Sequence, residues 1–279
     1  TSYAEQYEAE AMEIPAYVPP EDLSPRLAEQ QRALHYDRID EQGLRATMKY
    51  YHASVEWGID HQIGRVLDAL ESRGISDDTI VIFTSEHGDF MGDHHMVRKG
   101  MFLYDALLHV PGIWYAPGRI EQGLRTDVMA QSVDIFPTLV ELTGGQAGDE
   151  YAGRSLAPIL TGEASAEDWS DRAVFASAAY SDLPEDYFDD PEAPYFEPPE
   201  NADDPFHSRV ERLTWQPEER TAMIRTRDWK LIVNESRDPE FYHLEGRRGE
   251  RQNVAGAPEY EDVMQQLQAR LREVWAWRR

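Results

Sequence analysis

Thr79-Ile80-Val81-Ile82-Phe83-Thr84-Ser85-Glu86-His87-Gly88-Asp89-Phe90-Met91-Gly92-Asp93-His94-His95-Met96-Val97-Arg98-Lys99-Gly100 is the stretch on which the reading of this chain turns. The run that opens it is β-branched and aromatic, and such a run predicts a buried parallel strand over Thr79 to Thr84. Ser85-Glu86-His87-Gly88 then forms a loop that sets a carboxylate and an imidazole at the strand's C-terminal end. Ligands bind at that end in open α/β sheets.

The residues around this stretch resemble the sulfatases of the alkaline phosphatase superfamily, arylsulfatase-like members included. In that family a strand ends in Thr-Ser-Asp-His/Asn-Gly, followed by Gly-x-His, Lys-Gly, Tyr-Glu and Arg-Val-Pro. Here the series reads Thr84-Ser85-Glu86-His87-Gly88, Gly92-Asp93-His94, Lys99-Gly100, Tyr104-Asp105 and His109-Val110-Pro111. Upstream, Tyr50 to Leu67 is similar to the helix leading into the strand. Downstream, Ser132 to Leu139 is similar to the Val-Asp-Leu-x-Pro-Thr helix start, and Glu240 to Glu245 to the late Glu-Leu-Tyr-Asp-Leu segment.

The resemblance implies a three-layer α/β sandwich of alkaline phosphatase type, present here incompletely, followed by a small C-terminal α+β subdomain with an antiparallel sheet. It also implies hydrolysis of a sulfate ester by a formylglycine hydrate, beside a divalent cation, Ca2+ by resemblance. The formylglycine precursor lies in a Cys/Ser-x-Pro-Ser/Ala-Arg motif, and this chain has no Cys. Asp22-Leu23-Ser24-Pro25-Arg26 has the Ser and Pro out of order and reads as a turn. The sequence therefore reads as the C-terminal part of a sulfatase, inactive unless the N-terminal half is supplied as another chain; self-association is the alternative way to cover an open sheet edge. Two other functional readings stay open: a phosphonate or phosphodiester hydrolase of the same superfamily, which His87 permits, and a non-catalytic remnant.

The organisation follows from periodicity. Leu44 to Ser72 reads as a helix, with Met48, Tyr51, Val55, Ile59, Ile63, Val66, Leu67 and Leu70 on one stripe and Gly74 as its C-terminal cap. Val110 to Tyr115 is a second strand, and Ser132 caps a helix over Val133 to Leu142. These elements place residues 1–150 in the α/β part. Residues 151–279 form the small subdomain: strands Ala173 to Ala179, Thr221 to Thr226 and Trp229 to Val233, the last two a hairpin through Arg227-Asp228, then an amphipathic helix over Pro258 to Trp277. Within it, Ser181 to Pro205 holds ten acidic residues and six prolines in twenty-five positions. Such a composition builds no core element; its aromatics Tyr187, Phe188, Tyr195 and Phe196 are candidates for a substrate entrance.

The net charge is −26, with 53 acidic against 27 basic side chains, and Lys occurs only at positions 49, 99 and 230. This surface repels nucleic acid and anionic lipid, so neither is expected as a partner. No run of apolar residues is long enough to span a bilayer. An acidic, Lys-poor chain suits a salt-rich cytosol, while the absence of Cys fits a reducing compartment or a disulfide-free secreted protein equally, so location stays open.

Four residues are the candidates for chemistry. Glu86 and His87 are the candidate metal ligands, because a hard divalent cation takes carboxylate oxygen and tolerates imidazole nitrogen. Glu86 departs from the family's Asp by one methylene. Lys99 stands where the resemblance places a sulfate-binding lysine, and an ammonium there neutralises charge that develops on the sulfuryl oxygens. His94 is the second catalytic candidate, a hydrogen-bond donor to sulfate or leaving group, with His95 beside it. The blander alternatives are a solvated loop for Glu86 and His87 and a structural role for His94.

Overall fold

A computed structural model describes residues 3–15, 18–19, 23–148, 151–178, 220–234, 237–244 and 249–274. The acidic, proline-rich segment at 181–205 and the residues beyond 274, over which the last helix is expected to continue to Trp277, lie outside the described residues.

Helix α1, Pro25–Ala33, begins where Ser24 accepts the Leu27 amide on Oγ and Pro25 fills the first helical position. Pro at that position suits a helix start, because its missing N–H is an orphan there anyway. Helix α2, Glu41–Val55, is capped by Asp40 accepting from Gly43, and continues through a π-helical turn at Glu56–Asp60 into α3, His61–Ser72. Gly74, at φ +67°, ends the rod as its position predicts.

The apolar stripe on this rod forms as expected and is not buried. Val66 is 61% exposed and Ile59 44%, with Tyr51, Val55 and Leu67 exposed as well. The short 3-10 turns at Ala4–Gln6 and Ala9–Ala11 pack against α2, where Leu44 and Ala53 are buried, and Met48, Ile63 and Leu70 of the stripe are half-buried.

Strand β1, Val81–Thr84, corrects the expectation of a buried parallel strand. It pairs antiparallel with β2, Gly112–Tyr115, in a two-stranded sheet, with Val81 opposite Tyr115 and Thr84 opposite Gly112. The intervening loop and the short helix α4, Asp105–Leu108, return the chain to run back along β1. Both strands are half-exposed or exposed.

Beyond β2 comes α5, Ile135–Leu142, preceded by a 3-10 turn at Ser132–Asp134; its cap is Gln131, whose amide donates to Asp134 Oδ2, rather than Ser132. Asp134 is fully buried. It accepts from the Arg154 amide and pairs with Arg172, so the segment carrying α6, Ala157–Leu160, is tied to the foot of α5.

The second sheet is antiparallel in the order β3-β4-β5-β6: Val174–Ala178, Thr221–Arg225, Trp229–Asn234 and Glu240–His243. Its β4–β5 hairpin turns through Arg227-Asp228, closed by the Thr226 amide on the Trp229 carbonyl. Because side chains alternate across a sheet, Ala222, Ile224, Leu231 and Phe241 point to one face and pack under Leu267 and Leu271 of α7, Glu261–Val274. Met223, Ile232 and Tyr242 point to the other, where they meet Leu27 and Ala28 of α1 and Phe90, Met96, Phe102 and Leu107 of the loop region. No helix among the described residues is long and apolar enough to cross a membrane.

Candidate active site

The loop after β1 is built by backbone hydrogen bonds that fold it onto itself. Gly88 N donates to Leu107 O, Phe90 N to Arg98 O, and Gly92 N to Met96 O, each at 2.8 Å. Gly88 is required at its position: a Cβ there would stand 2.2 Å from the Ala106 carbonyl oxygen. Met91, His94, His95 and Arg98 all adopt positive φ, a cluster of backbone strain that side chains other than Gly and Asn rarely accept. Phe90 and Met96, essentially inaccessible to solvent, hold the loop down from inside.

This fold returns Lys99 to the beginning of the loop. Its Nζ lies 3.0 Å from His87 Nε2, and His87 Nδ1 lies 2.9 Å from the Gly88 carbonyl oxygen. A carbonyl only accepts, so Nδ1 carries the proton; Nε2 then offers its lone pair to the Lys99 ammonium. The imidazole is neutral in this arrangement. Ser85 Oγ donates to the His87 carbonyl at 2.8 Å and fixes the turn. Lys99 is exposed and makes no ion pair among the described residues, in a chain with 53 acidic side chains. A surface contact of this kind adds little to stability.

The other two sequence candidates are not drawn into that pair. Glu86 is exposed at the loop tip and makes no hydrogen bond or ion pair among the described residues. His94 is buried, its ring 4.7 Å from that of Tyr104 and 6.1 Å, edge-on, from Phe90. Burial pushes its imidazole down to about 4, helped by the positive charges of Lys230 and Arg251. A neutral, enclosed imidazole facing the core is a packing group, and the local sequence, with two adjacent histidines on one loop, carries no signal of which one turns inward.

Behind the loop stands a charge cluster that sequence reasoning missed. Lys230, on β5, is fully buried, with Nζ 2.9 Å from Asp105 Oδ1 and 2.5 Å from Glu250 Oε1. Arg225, opposite Lys230 on β4, pairs with the same Asp105 at 3.0 Å, and the Asp105 amide donates to Glu250 Oε2 at 2.8 Å. Burial raises the Glu250 carboxyl to about 7 against the opposing pull of Lys230. Asp105 is held below the usual carboxylate range: Lys230 and Arg225 overcome the upward push of its burial. The scarcity of lysine that singles out Lys99 applies equally to Lys230, and would have marked it. Beside this cluster, Tyr104 and Tyr242 both donate to Glu240 Oε2, at 2.5 and 2.6 Å, and Ser24 Oγ lies 2.9 Å from the Tyr104 hydroxyl. Ser24 is thus committed to the helix cap and to Tyr104.

Glu86 and His87 have the donor chemistry that suits a hard divalent cation. Their number is insufficient, since the described residues contain no group of three His, Cys, Asp or Glu side chains able to hold a metal ion.

A family model described as Sulfatase matches residues 6–145. The chain is 29% identical over 229 residues to N-acetylglucosamine-6-O-sulfatase of Bacteroides thetaiotaomicron, covering 81% of this chain and 35% of that protein. It is 37% identical over 125 residues to an arylsulfatase of Clostridium perfringens, covering 44% of this chain and 26% of the relative. Among solved structures, the phosphonate monoester hydrolase SpPMH of Silicibacter pomeroyi superposes with a TM-score of 0.73 at 25% identity, over 98% of this chain and 52% of that one. The fold is the alkaline phosphatase-like one, and the match covers about a quarter to a half of the length of these proteins.

Proposed function

Because the chain belongs to the sulfatase family, we propose that it supplies the anion-receiving side of a site that hydrolyses sulfate esters. The observation that carries this reading is the contact of Lys99 with His87 at the open end of β1. One ammonium proton is engaged by His87 Nε2, which aims the side chain, and the other two remain free to meet sulfate oxygens. As the ester S–O bond breaks, charge gathers on those oxygens, and an ammonium already in place stabilises it without reorganisation. His87 keeps its own proton on Nδ1, held by the Gly88 carbonyl, so in this role it is an acceptor that positions Lys99.

With further ligands from outside the described residues, Glu86 and His87 would hold a divalent cation only in place of the Lys99 contact, because the neutral imidazole has one lone pair, on Nε2, and cannot serve both. Such an ion supplies Lewis-acid polarisation of the ester oxygen. The nucleophile, a formylglycine hydrate in the reading above, is assigned to no residue of this chain.

A second reading, hydrolysis of a phosphonate or phosphate diester, is favoured by the phosphonate monoester hydrolase of Silicibacter pomeroyi among the structural neighbours, and by the imidazole at position 87. The test is turnover of 4-nitrophenyl sulfate and 4-nitrophenyl phenylphosphonate by the complete protein that carries this sequence. We expect sulfate ester hydrolysis to dominate, and Lys99→Ala to lower kcat/KM by about 10²–10³ with an unchanged melting temperature. Undiminished turnover in that variant rejects the role of Lys99; dominant phosphonate turnover selects the second reading.

A further inference from the structure

The row of side chains that β4, β5 and β6 turn toward α1 does not pack out completely. Between that row, Pro25 and Arg26 of α1 and the Phe102–Tyr104 segment lies a cavity of about 680 Å³. That volume falls within the roughly 300–1,000 Å³ of small-molecule sites. Alternation along the strands explains its character, because Thr221, Asn234 and Glu240 share a face with Ile232. The cavity is separate from the His87–Lys99 pair, neither of which lines it.

Its charges are unequally committed. Arg26 lies over the Phe102 ring at 4.8 Å and reaches Thr221 Oγ1, and Arg237 directs two guanidinium nitrogens to Glu29 Oε2 at 3.2 Å. The acceptors are the open groups. Glu240 receives both tyrosine hydroxyls on Oε2, leaving Oε1 with no partner among the described residues, and the Asp238 carboxylate has none there either. A cleft that sets open carboxylate oxygens beside partly engaged guanidinium donors offers both acceptors and donors, which suits a neutral ligand rich in hydroxyl groups. Pro25, Leu103 and Ile232 supply apolar surface beside those acceptors. Several hydroxyl donors around an apolar ring face is the chemistry of a saccharide.

We infer that this cavity is a saccharide-binding site, independent of the sulfate-receiving pair, in which Asp238 and Glu240 Oε1 accept hydroxyl or amino protons of the sugar. The experiment is saturation-transfer NMR on the full chain with glucose, galactose, glucosamine and N-acetylglucosamine. At least one sugar is expected to bind with saturation in the millimolar range. Glu240→Gln retains an oxygen for the tyrosines while replacing the open acceptor by a donor, and Asp238→Asn alters an exposed group, so both variants should fold. Each should weaken binding tenfold or more, while Lys99→Ala leaves it unchanged. Absence of saturable transfer from every sugar overturns the inference, as does binding insensitive to both acidic substitutions. Loss of binding in Lys99→Ala places the sugar at the other site and overturns it too, as does displacement by inorganic sulfate, or by CaCl2 alone, at equal concentration.

Discussion

The four-stranded sheet has described residues packed on both faces: α7 covers one side, leaving Ala222, Ile224, Leu231 and Phe241 with no measurable exposure, and α1 with the Phe90–Leu107 region packs on the other beside the cavity, where Met223, Ile232 and Tyr242 are buried. The two-stranded sheet and the rod α2–α3 stand differently. Ile113 is 58% exposed and Tyr115 49%, and the rod's apolar stripe faces outward. One region closes its own core; the other holds out apolar surface, and Glu86 and His87 follow directly on its strand β1. The loop between them belongs to both, anchored from behind by the buried charges of the second sheet and open at its tip. Buried and exposed side chains are thereby carried by different residues of one loop.

The strongest way to break this contrast is to remove the anchor. Lys230→Ala leaves Asp105 and Glu250 buried beside one another with only Arg225 to compensate, and losing one partner of a buried ion pair costs about 3–5 kcal/mol. Urea unfolding should show a loss of that size; a change below about 1 kcal/mol shows that the cluster does not anchor the loop.

A second test uses proton linkage. The Glu250 carboxyl, raised from 4.5 to about 7, keeps a proton in the folded state that the unfolded chain releases, so its contribution is present below about 4.5 and is lost as pH rises through 7. His94, lowered from 6.5 to about 4, works oppositely: its contribution is present above 6.5 and is lost as pH falls toward 4. Between about 4.5 and 6.5 the two slopes oppose. Relative to the unsubstituted protein, Glu250→Gln should therefore become more stable with rising pH across this window, and His94→Gln less stable. The size is up to roughly 1.4 kcal/mol per pH unit. Only slopes are compared, so a uniform loss in either variant does not matter. Parallel curves contradict the burial of both groups.

Hydrogen exchange sharpens the contrast between the sheets. Amides of β4 and β5 should exchange only by global opening, and those of β1 and β2 by local opening at least about 100-fold faster. Equal protection of the two sheets removes the contrast.

Much of this architecture is legible because it is local. The rod follows from three-to-four spacing and a terminal Gly74, the β4–β5 hairpin from the polar pair Arg227-Asp228 between two apolar runs, and α7 from the stripe that includes Leu267 and Leu271. The motif series also brought Lys99 and His87 into one reading, and the loop's backbone ladder sets them in contact. What the sequence does not carry is the identity of partners across the fold. The run at Thr79–Thr84 has the composition of a buried parallel strand, yet its pairing among the described residues is antiparallel, since a run of apolar residues does not encode its neighbour. Whether His94 or His95 turns inward depends on a succession of positive φ angles, and Lys230 looks like a surface residue within a strand until Asp105 and Glu250 are seen opposite it.

The smallest stability effect belongs to the central claim, which is that Lys99 serves an anion and not the fold. Lys99→Ala should move the unfolding free energy by less than about 0.5 kcal/mol, as for any exposed pair. The direct measurement is an NMR titration of the [15N]lysine-labelled chain with sodium sulfate at constant ionic strength, where three lysines give three backbone amide signals. The account predicts a saturable shift of the Lys99 signal while those of Lys49 and Lys230 stay in place. A Lys99 signal that does not move, or one that drifts in parallel with Lys49 without saturating, contradicts it.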